Sequence, residues 1–322
     1  MRQGALDLRF VVRRAGYALL TLAFILAVNF FLFRIMPGDP IALLARSQRL
    51  SPEALDEQRR AFGLDEPLLE QFIIYVRETL TGQLGVSLVS GVEVIDLIAS
   101  RLWPTVLLVG IGTLLAAVIG ILIGIRGGWR RGGTFDSGSL FTSLALYSTP
   151  EGWLGMLLLL FFAGWLGWFP AGGFSSTGGS GAGDVAGHLA LPVLALSLGY
   201  IGQYAMVMRA SMIEVKAQPY ITLARAKGLS DPDVRRRHAV PNALLPTFTL
   251  VVLSVGFILG GAIVIETVFS WPGIGLLTYE AIETLDYPVL QGVFLLSSSA
   301  FILAAFIADI AYGALDPQVR TS

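Results

Sequence analysis

Residues 218–246 read QPYITLARAKGLSDPDVRRRHAVPNALLP, a polar and basic stretch set between apolar runs long enough to cross a bilayer. Pro219 suits a first helical position and Gly228 suits the left-handed residue just past a helix end, so a short helix is predicted over about 219–227. Ser230 then offers an N-cap, with Asp233 as its capping-box partner and Asp231 adding negative charge to the same first turn. A second helix follows, with Arg235, Arg236 and Arg237 toward its far end, and Pro241 and Pro246 mark the start of the next apolar run. Two readings are open at this point: a basic loop held at the lipid surface, or a rigid two-helix lever made for a partner.

The rest of the chain fits a membrane body. Hydrophobic residues make up 54% and charged residues 14% of the 322 residues, and the mean hydropathy is +0.71. Such values lie far from those of soluble globular chains. The net charge of -1 says little, whereas the placement of the arginines says much. With no cysteine, the chain has no disulfide framework, thiolate metal site or cysteine nucleophile. His188 and His238 are the only histidines and lie far apart in sequence, which argues against a histidine-rich metal site.

Arg2, Arg9, Arg13 and Arg14 precede an apolar run over 15–33 that superficially resembles a signal peptide. The run is too long and lacks a small-residue cleavage pattern, so it reads as a retained first transmembrane helix. Six spans are expected, at about 15–36, 103–125, 139–168, 189–212, 243–266 and 289–312. The expected organisation is a cytoplasmic start and first span over 1–36, an outer loop over 37–102, a five-helix core over 103–314, and a cytoplasmic tail over 315–322. Within the core, residues 213–242 form the loop between the fourth and fifth spans. The fold class is thus all-α, a polytopic helix bundle. Its orientation follows from basic residues: the N-terminal arginines, Arg126, Arg130, Arg131, the 216–237 cluster and Arg320 share one side, which is the cytoplasmic one, so both termini are expected there. The connecting stretches 171–187 and 267–288 contain no Lys or Arg and are expected outside.

The outer loop begins with MPGDP at 36–40 and carries the amphipathic stretch SPEALDEQRRAF at 51–62, which predicts small surface helices. They fit either a cap that closes the bundle or a docking surface for a soluble partner. The third span is unusual, because Ser148-Thr149-Pro150-Glu151 falls near its middle and proline there kinks the helix. Glu151 must face protein or water, near the positive end of a restarted half-helix. It is either a structural carboxylate paired within the bundle or, with Ser148, part of a polar translocation path. Glu266 and Asp309 fall near span ends and read as interface anchors. Gly110, Gly112, Gly120 and Gly124 read as helix-packing positions.

Catalytic motifs are missing. The only lysines, Lys216 and Lys227, complete no phosphate loop, and neither an H-E-x-x-H helix nor a G-x-S-x-G elbow occurs. The serine run 297–299 has no histidine nearby in sequence, which leaves no case for an intramembrane hydrolase. The basic residues lack an aromatic reading surface for nucleic acid. An ion-gradient-driven secondary transporter would favour internal repeats and paired broken helices; one kinked span and no repeat are visible.

Residues 222–241 resemble the EAA motif of bacterial ABC importer permeases. Gly228 stands as the motif's glycine and His238-Ala239-Val240-Pro241 as its closing element. Thr222 and Leu223 depart from the first two letters of the motif, and Ala224 keeps the alanine. ARAKGL at 224–229 and RHAVPNALLP at 237–246 are similar to the oligopeptide, dipeptide and nickel permease family, B-type subunit. The likeness continues through MPGDP, GLDEPLLEQF at 63–72, GQLGVSL at 82–88, RLWPTVLL at 101–108, GGAIVIETVFSWPGIGLLTYEAI at 260–282 and ALDPQVR at 314–320.

That resemblance implies a transport subunit with no catalytic site or cofactor of its own, ATP and Mg being held by partner chains. It implies pairing with a second, C-type permease, two ATPase subunits and an extracytoplasmic binding protein, in a bacterial inner membrane. It further implies that the loop enters a groove on an ATPase, with Tyr220, Ala224, Arg225, Ala226, Lys227, Gly228, Arg235, Arg236, Arg237 and His238 at the contact. Short peptides are the expected cargo; nickel, glutathione or another small solute is the alternative.

Overall fold

The structure is a computed structural model that describes residues 8–35, 66–176, 178–179, 181–258 and 262–315. MPGDP, the stretch 51–62, the start of GLDEPLLEQF and most of ALDPQVR lie outside these residues. Among the described residues the chain is helical, with one isolated antiparallel bridge between Val86 and Glu93. Five helices, Arg9–Phe33, Val94–Trp129, Ala182–Lys216, Asp231–Gly256 and Tyr287–Ile310, are long and apolar enough to cross a membrane. A sixth crossing requires two helices taken together, Thr134–Ser148 and Glu151–Trp165, which are bent by 98°.

In chain order the elements are α1 (Leu8–Ile35), α2 (Leu68–Leu80), α3 (Val94–Trp129), α4 (Thr134–Ser148) and α5 (Glu151–Leu158). A π-helical turn, Leu159–Trp165, prolongs α5, and α6 (Ala182–Lys216) follows. Helix α3 starts well before the expected 103, because Pro104 sits inside it without ending it.

The centre is the pair α3 and α6. Gly112, Gly120, Gly124 and Gly128 lie against Leu196, Tyr204, Met208 and Met212 in turn, a constant offset that makes the two helices parallel. A Cβ added at Gly124 would sit 2.6 Å from the Met208 Cβ, and one at Gly128 would sit 2.6 Å from that of Met212. Lipid tails are as apolar as the side chains, so helices in a bilayer gain from this close packing more than from burial itself. Gly110, expected to share the role, faces open space instead.

Helix α4 runs antiparallel to α6, and Arg209 of α6 meets Asp136 at its first turn. The expected single kinked span is in fact broken between α4 and α5. Thr149, as the residue before a proline, takes an extended conformation (φ -83°, ψ 127°), and Pro150 has no N–H to continue the ladder. The Thr149 hydroxyl donates to the Ala145 carbonyl at 2.7 Å, satisfying a group the break would strand.

After the 218–239 stretch come α9 (Val240–Ile258), α10 (Ile263–Val268), α11 (Ile274–Thr284) and α12 (Tyr287–Leu315), with α7 and α8 defined below. Glu266, expected as an anchor at a span end, is fully buried. The fifth span stops before it, and α10 and α11 fold back into the bundle and carry the carboxylate inside. There Thr105 donates to Oε1 at 2.9 Å and the Leu276 N–H to Oε2 at 3.0 Å. The Ile274 N–H donates to Thr105 at 2.7 Å, and the Trp271 indole donates to the Pro104 carbonyl at 3.0 Å. This clasp fixes α10 and α11 to α3. Gly292 near the start of α12 packs on Val94 and Ile98, while Arg14 and Asp309 pair at 2.9 Å at the other end. The start of α1 and the end of α12 therefore lie at the same end of the bundle as Trp129.

Candidate functional site

Residues 218–239 begin with α7 (Pro219–Ala226). Its Ile221 and Ala224 are buried against the bundle, whereas Tyr220 is 40% and Leu223 55% exposed. Partial burial raises the Tyr220 phenol above its ordinary pKa. The helix ends in a Schellman motif: the Leu229 N–H reaches the Ala224 carbonyl at 3.4 Å and the Gly228 N–H reaches that of Arg225 at 2.9 Å. Gly228 closes it at φ +82°, and a Cβ there would meet no atom within 4 Å. Glycine is needed at this position for its backbone angle and not for close approach within the chain.

Ser230 caps the next turn, accepting from the Asp233 N–H at 3.3 Å and donating to Asp233 Oδ2 at 2.5 Å. Helix α8 (Asp231–Asp233) passes into a π-helical turn, Val234–Ala239, and on into α9 without a break. The second short helix expected from sequence is thus the start of the fifth span. The π-helical turn explains why Pro241 does not end it: Val240 donates to the Arg235 carbonyl, one residue beyond the usual partner, and the shifted ladder tolerates the missing proline N–H.

Arg225, Ala226, Lys227, Arg236 and Arg237 are exposed, and Arg235 and His238 half-buried. Arg237 lies 3.6 Å from Asp233, one helical turn away. The basic side chains therefore line the outer side of a stretch whose inner side, Ile221, Ala224, Val234 and Ala239, packs with Met208, Met212 and Trp129.

Trp129, which the sequence reading did not single out, sits at the centre of this packing and is 4% exposed. Its indole donates to Asp231 Oδ2 at 2.8 Å, and Lys216 Nζ donates to its carbonyl at 2.6 Å. Lys216 and Arg225 also lie over the ring, 5.4 Å and 5.5 Å from its centroid. Asp231 in turn is 3.4 Å from Arg225. The only signal in the sequence was a large aromatic between Gly128 and Arg130 at the basic end of a span.

Glu151 and Ser148 flank the 98° break. Glu151 is the first residue of α5 and half-buried, and a Cβ added at Gly199 would lie 3.6 Å from its Oε1. Among the described residues no basic side chain pairs with it. Ser148, the last residue of α4, is exposed. The residues expected to contact an ATPase and these two are far apart in the fold: the former lie at the Trp129 end, whereas Glu151 lies beside Gly199, at the middle of α6.

Two family profiles match the chain. "Binding-protein-dependent transport system inner membrane component" matches residues 116–321, and the N-terminal profile of the same membrane component matches residues 7–109. Among curated proteins, the chain is 35% identical over 315 residues to a "Probable peptide ABC transporter permease protein" of Sinorhizobium fredii, covering 97% of this chain and 99% of that one. It is 36% identical over 334 residues to a di/tripeptide transport system permease protein of Pseudomonas aeruginosa, with coverage of 97% and 99%. It is 37% identical over 314 residues to a glutathione transport system permease protein of Escherichia coli, again with coverage of 97% and 99%. Among solved structures, an inward-facing methionine ABC transporter aligns with a TM-score of 0.55 at 18% identity, covering 69% of this chain and 97% of that chain, which shows a shared fold. The chain belongs to the family of binding-protein-dependent transport system inner membrane components, and is a multi-pass permease subunit of an ABC importer of the bacterial inner membrane.

Proposed function

We propose that this chain forms half of a translocation pathway for short peptides and is driven by ATPase subunits docked on residues 218–239. The observation that carries this reading is the build of that stretch. A Schellman turn at Gly228 and a Ser230 cap hold it rigid, and its inner side is packed on α3 and α6. Its outer side presents Tyr220, Leu223 and Leu229 among Arg225, Lys227, Arg236 and Arg237. Apolar anchors ringed by cations suit a groove with an acidic rim on a partner. Tyr220, Ala224, Arg225, Ala226, Lys227, Gly228, Arg235, Arg236, Arg237 and His238 form or support that contact.

The basic end of the bundle is the cytoplasmic one, and the loop, the start of α1 and the end of α12 lie there. ATP is bound with Mg and hydrolysed on the two ATPase subunits, since this chain has no phosphate loop. A second, C-type permease supplies the other half of the pathway, and an extracytoplasmic binding protein delivers cargo. The relatives named for di/tripeptide and glutathione transport support a peptide cargo. Closing of the ATPases draws the two loops together and turns the pathway from inward-open to outward-open. Glu151 and Ser148 face that pathway at the broken span.

The test is purification of the tagged chain from native membranes in mild detergent, with mass spectrometry and an ATPase assay. Recovery of a second permease, ATPases and a binding protein holding a peptide is expected. Recovery of the chain alone, moving solute in liposomes without ATP, overturns the proposal.

A further inference from the structure

Both halves of the 218–239 stretch and both central helices converge on Trp129. It is the last residue of α3. Its indole N–H is held by Asp231, the first residue of the run that continues into the fifth span. Arg225, near the end of α7, lies over the ring and reaches the same carboxylate. Lys216, the last residue of α6, binds the Trp129 carbonyl and the ring face.

We infer, on the reading that residues 218–239 dock on an ATPase, that Trp129 is the pin through which displacement of that stretch reaches the α3/α6 pair. It is a positioning residue for coupling, touching neither ATPase nor cargo. The apolar contacts of Ile221, Ala224, Val234 and Ala239 hold the stretch against the bundle but are non-directional, so they resist separation better than sliding. The indole bond to Asp231 is directional and charge-assisted, and it fixes orientation. Motion delivered to Trp129 cannot be lost between α3 and α6, because Gly124 and Gly128 seat their backbones directly on Met208 and Met212. The loop, α3 and α6 thus move as one body.

The test is a double-mutant cycle of Trp129→Phe and Asp231→Ala in the assembled transporter, reconstituted in proteoliposomes with peptide uptake and ATP hydrolysis measured together. Phe keeps the ring and removes the donor; Ala removes the acceptor at an exposed position and leaves the ring in place. Each change is expected to leave ATPase subunits bound and to lower uptake per ATP by roughly tenfold, the factor that one hydrogen bond to a charged partner carries. The double variant is expected to fall no further than either single one, because both remove the same bond. A purely structural role for Trp129 predicts effects that add, with uptake per ATP unchanged in the molecules that assemble, and that result overturns the inference. Where Trp129→Phe fails to insert, Asp231→Ala decides: wild-type uptake per ATP in that variant overturns it. A single cysteine at Leu223→Cys, placed in this cysteine-free chain, separates the two levels. If it does not cross-link to an ATPase cysteine, the docking reading itself falls. If it cross-links while the cycle shows no coupling, only the role of Trp129 falls.

Discussion

Arg209 grips Asp136 through both carboxylate oxygens, Nε at 2.5 Å from Oδ1 and Nη2 at 2.9 Å from Oδ2, and so ties α6 to the first turn of α4. The Gly132 N–H donates to the same carboxylate at 2.9 Å, and Asp136 is 3% exposed. Asp136 is buried and Arg209 about one-fifth exposed, so loss of the Asp136 charge leaves a partly buried guanidinium without its charge-assisted hydrogen bonds, at about 2 kcal/mol. Asp136→Asn is therefore expected to lower the melting temperature in detergent and the yield in membranes. Combining it with Arg209→Gln should recover part of the loss, since no charge is then stranded. An Asp136→Asn protein as stable as the parent would show the pair to be dispensable.

The seam between α3 and α6 predicts a graded series. At Gly124 an added Cβ would meet the Met208 Cβ at 2.6 Å and the Ala205 carbonyl at 2.7 Å, neither of which can move without the helix. At Gly112 the nearest atom is the terminal Leu196 Cδ2, at 2.7 Å, which a rotamer change can withdraw. At Gly110 nothing lies within 4 Å. Gly124→Ala should destabilise by about 1–3 kcal/mol, Gly112→Ala by less and Gly110→Ala hardly at all. Melting temperatures of the three variants in one detergent check the order, and equal values would refute the seam.

The same glycines show what was legible in the sequence and what was not. Apolar length exposed the spans, and the small residues marked a packing face, but a glycine on the seam and one on the open side look alike until the partner helix is placed. Pro219, Gly228 and Ser230 announced the first helix and its turn because their chemistry is local. Pro241 misled, since proline ends a helix only where the ladder cannot shift, and the π-helical turn shifts it. Glu266 looked like an interface anchor because burial by α10 and α11 depends on contacts to Thr105, far away in sequence. Trp129 was missed for the same reason: its partners lie on other elements.

Gly228 holds φ +82°, where a β-branched L-residue is strained by about 1–2 kcal/mol and asparagine by less. Because a Cβ there would clash with nothing, the strain acts on the shape of the turn alone. Gly228→Val should leave the chain inserted and lower ATP-driven uptake severalfold, with Gly228→Asn retaining most of it. Uptake by the valine variant equal to that of the parent, at equal membrane levels, would count against a rigid turn being required.

Glu151 opens α5 at the 98° break, where the helix N-terminus favours a negative charge. On the proposed reading of a peptide pathway, this half-buried carboxylate, with no basic partner among the described residues, is the acceptor for a cation carried by the cargo. The α-ammonium of a peptide is such a cation. Glu151→Gln preserves size and removes the charge, so it should raise the KM for peptides with a free amino terminus by several-fold and leave that for N-acetylated peptides unchanged. A purely structural carboxylate predicts that both classes respond alike, through fewer folded molecules and with KM unaffected. Competition assays with matched free and acetylated dipeptides in proteoliposomes distinguish the two outcomes, and an equal response by both classes would leave Glu151 no part in recognising cargo.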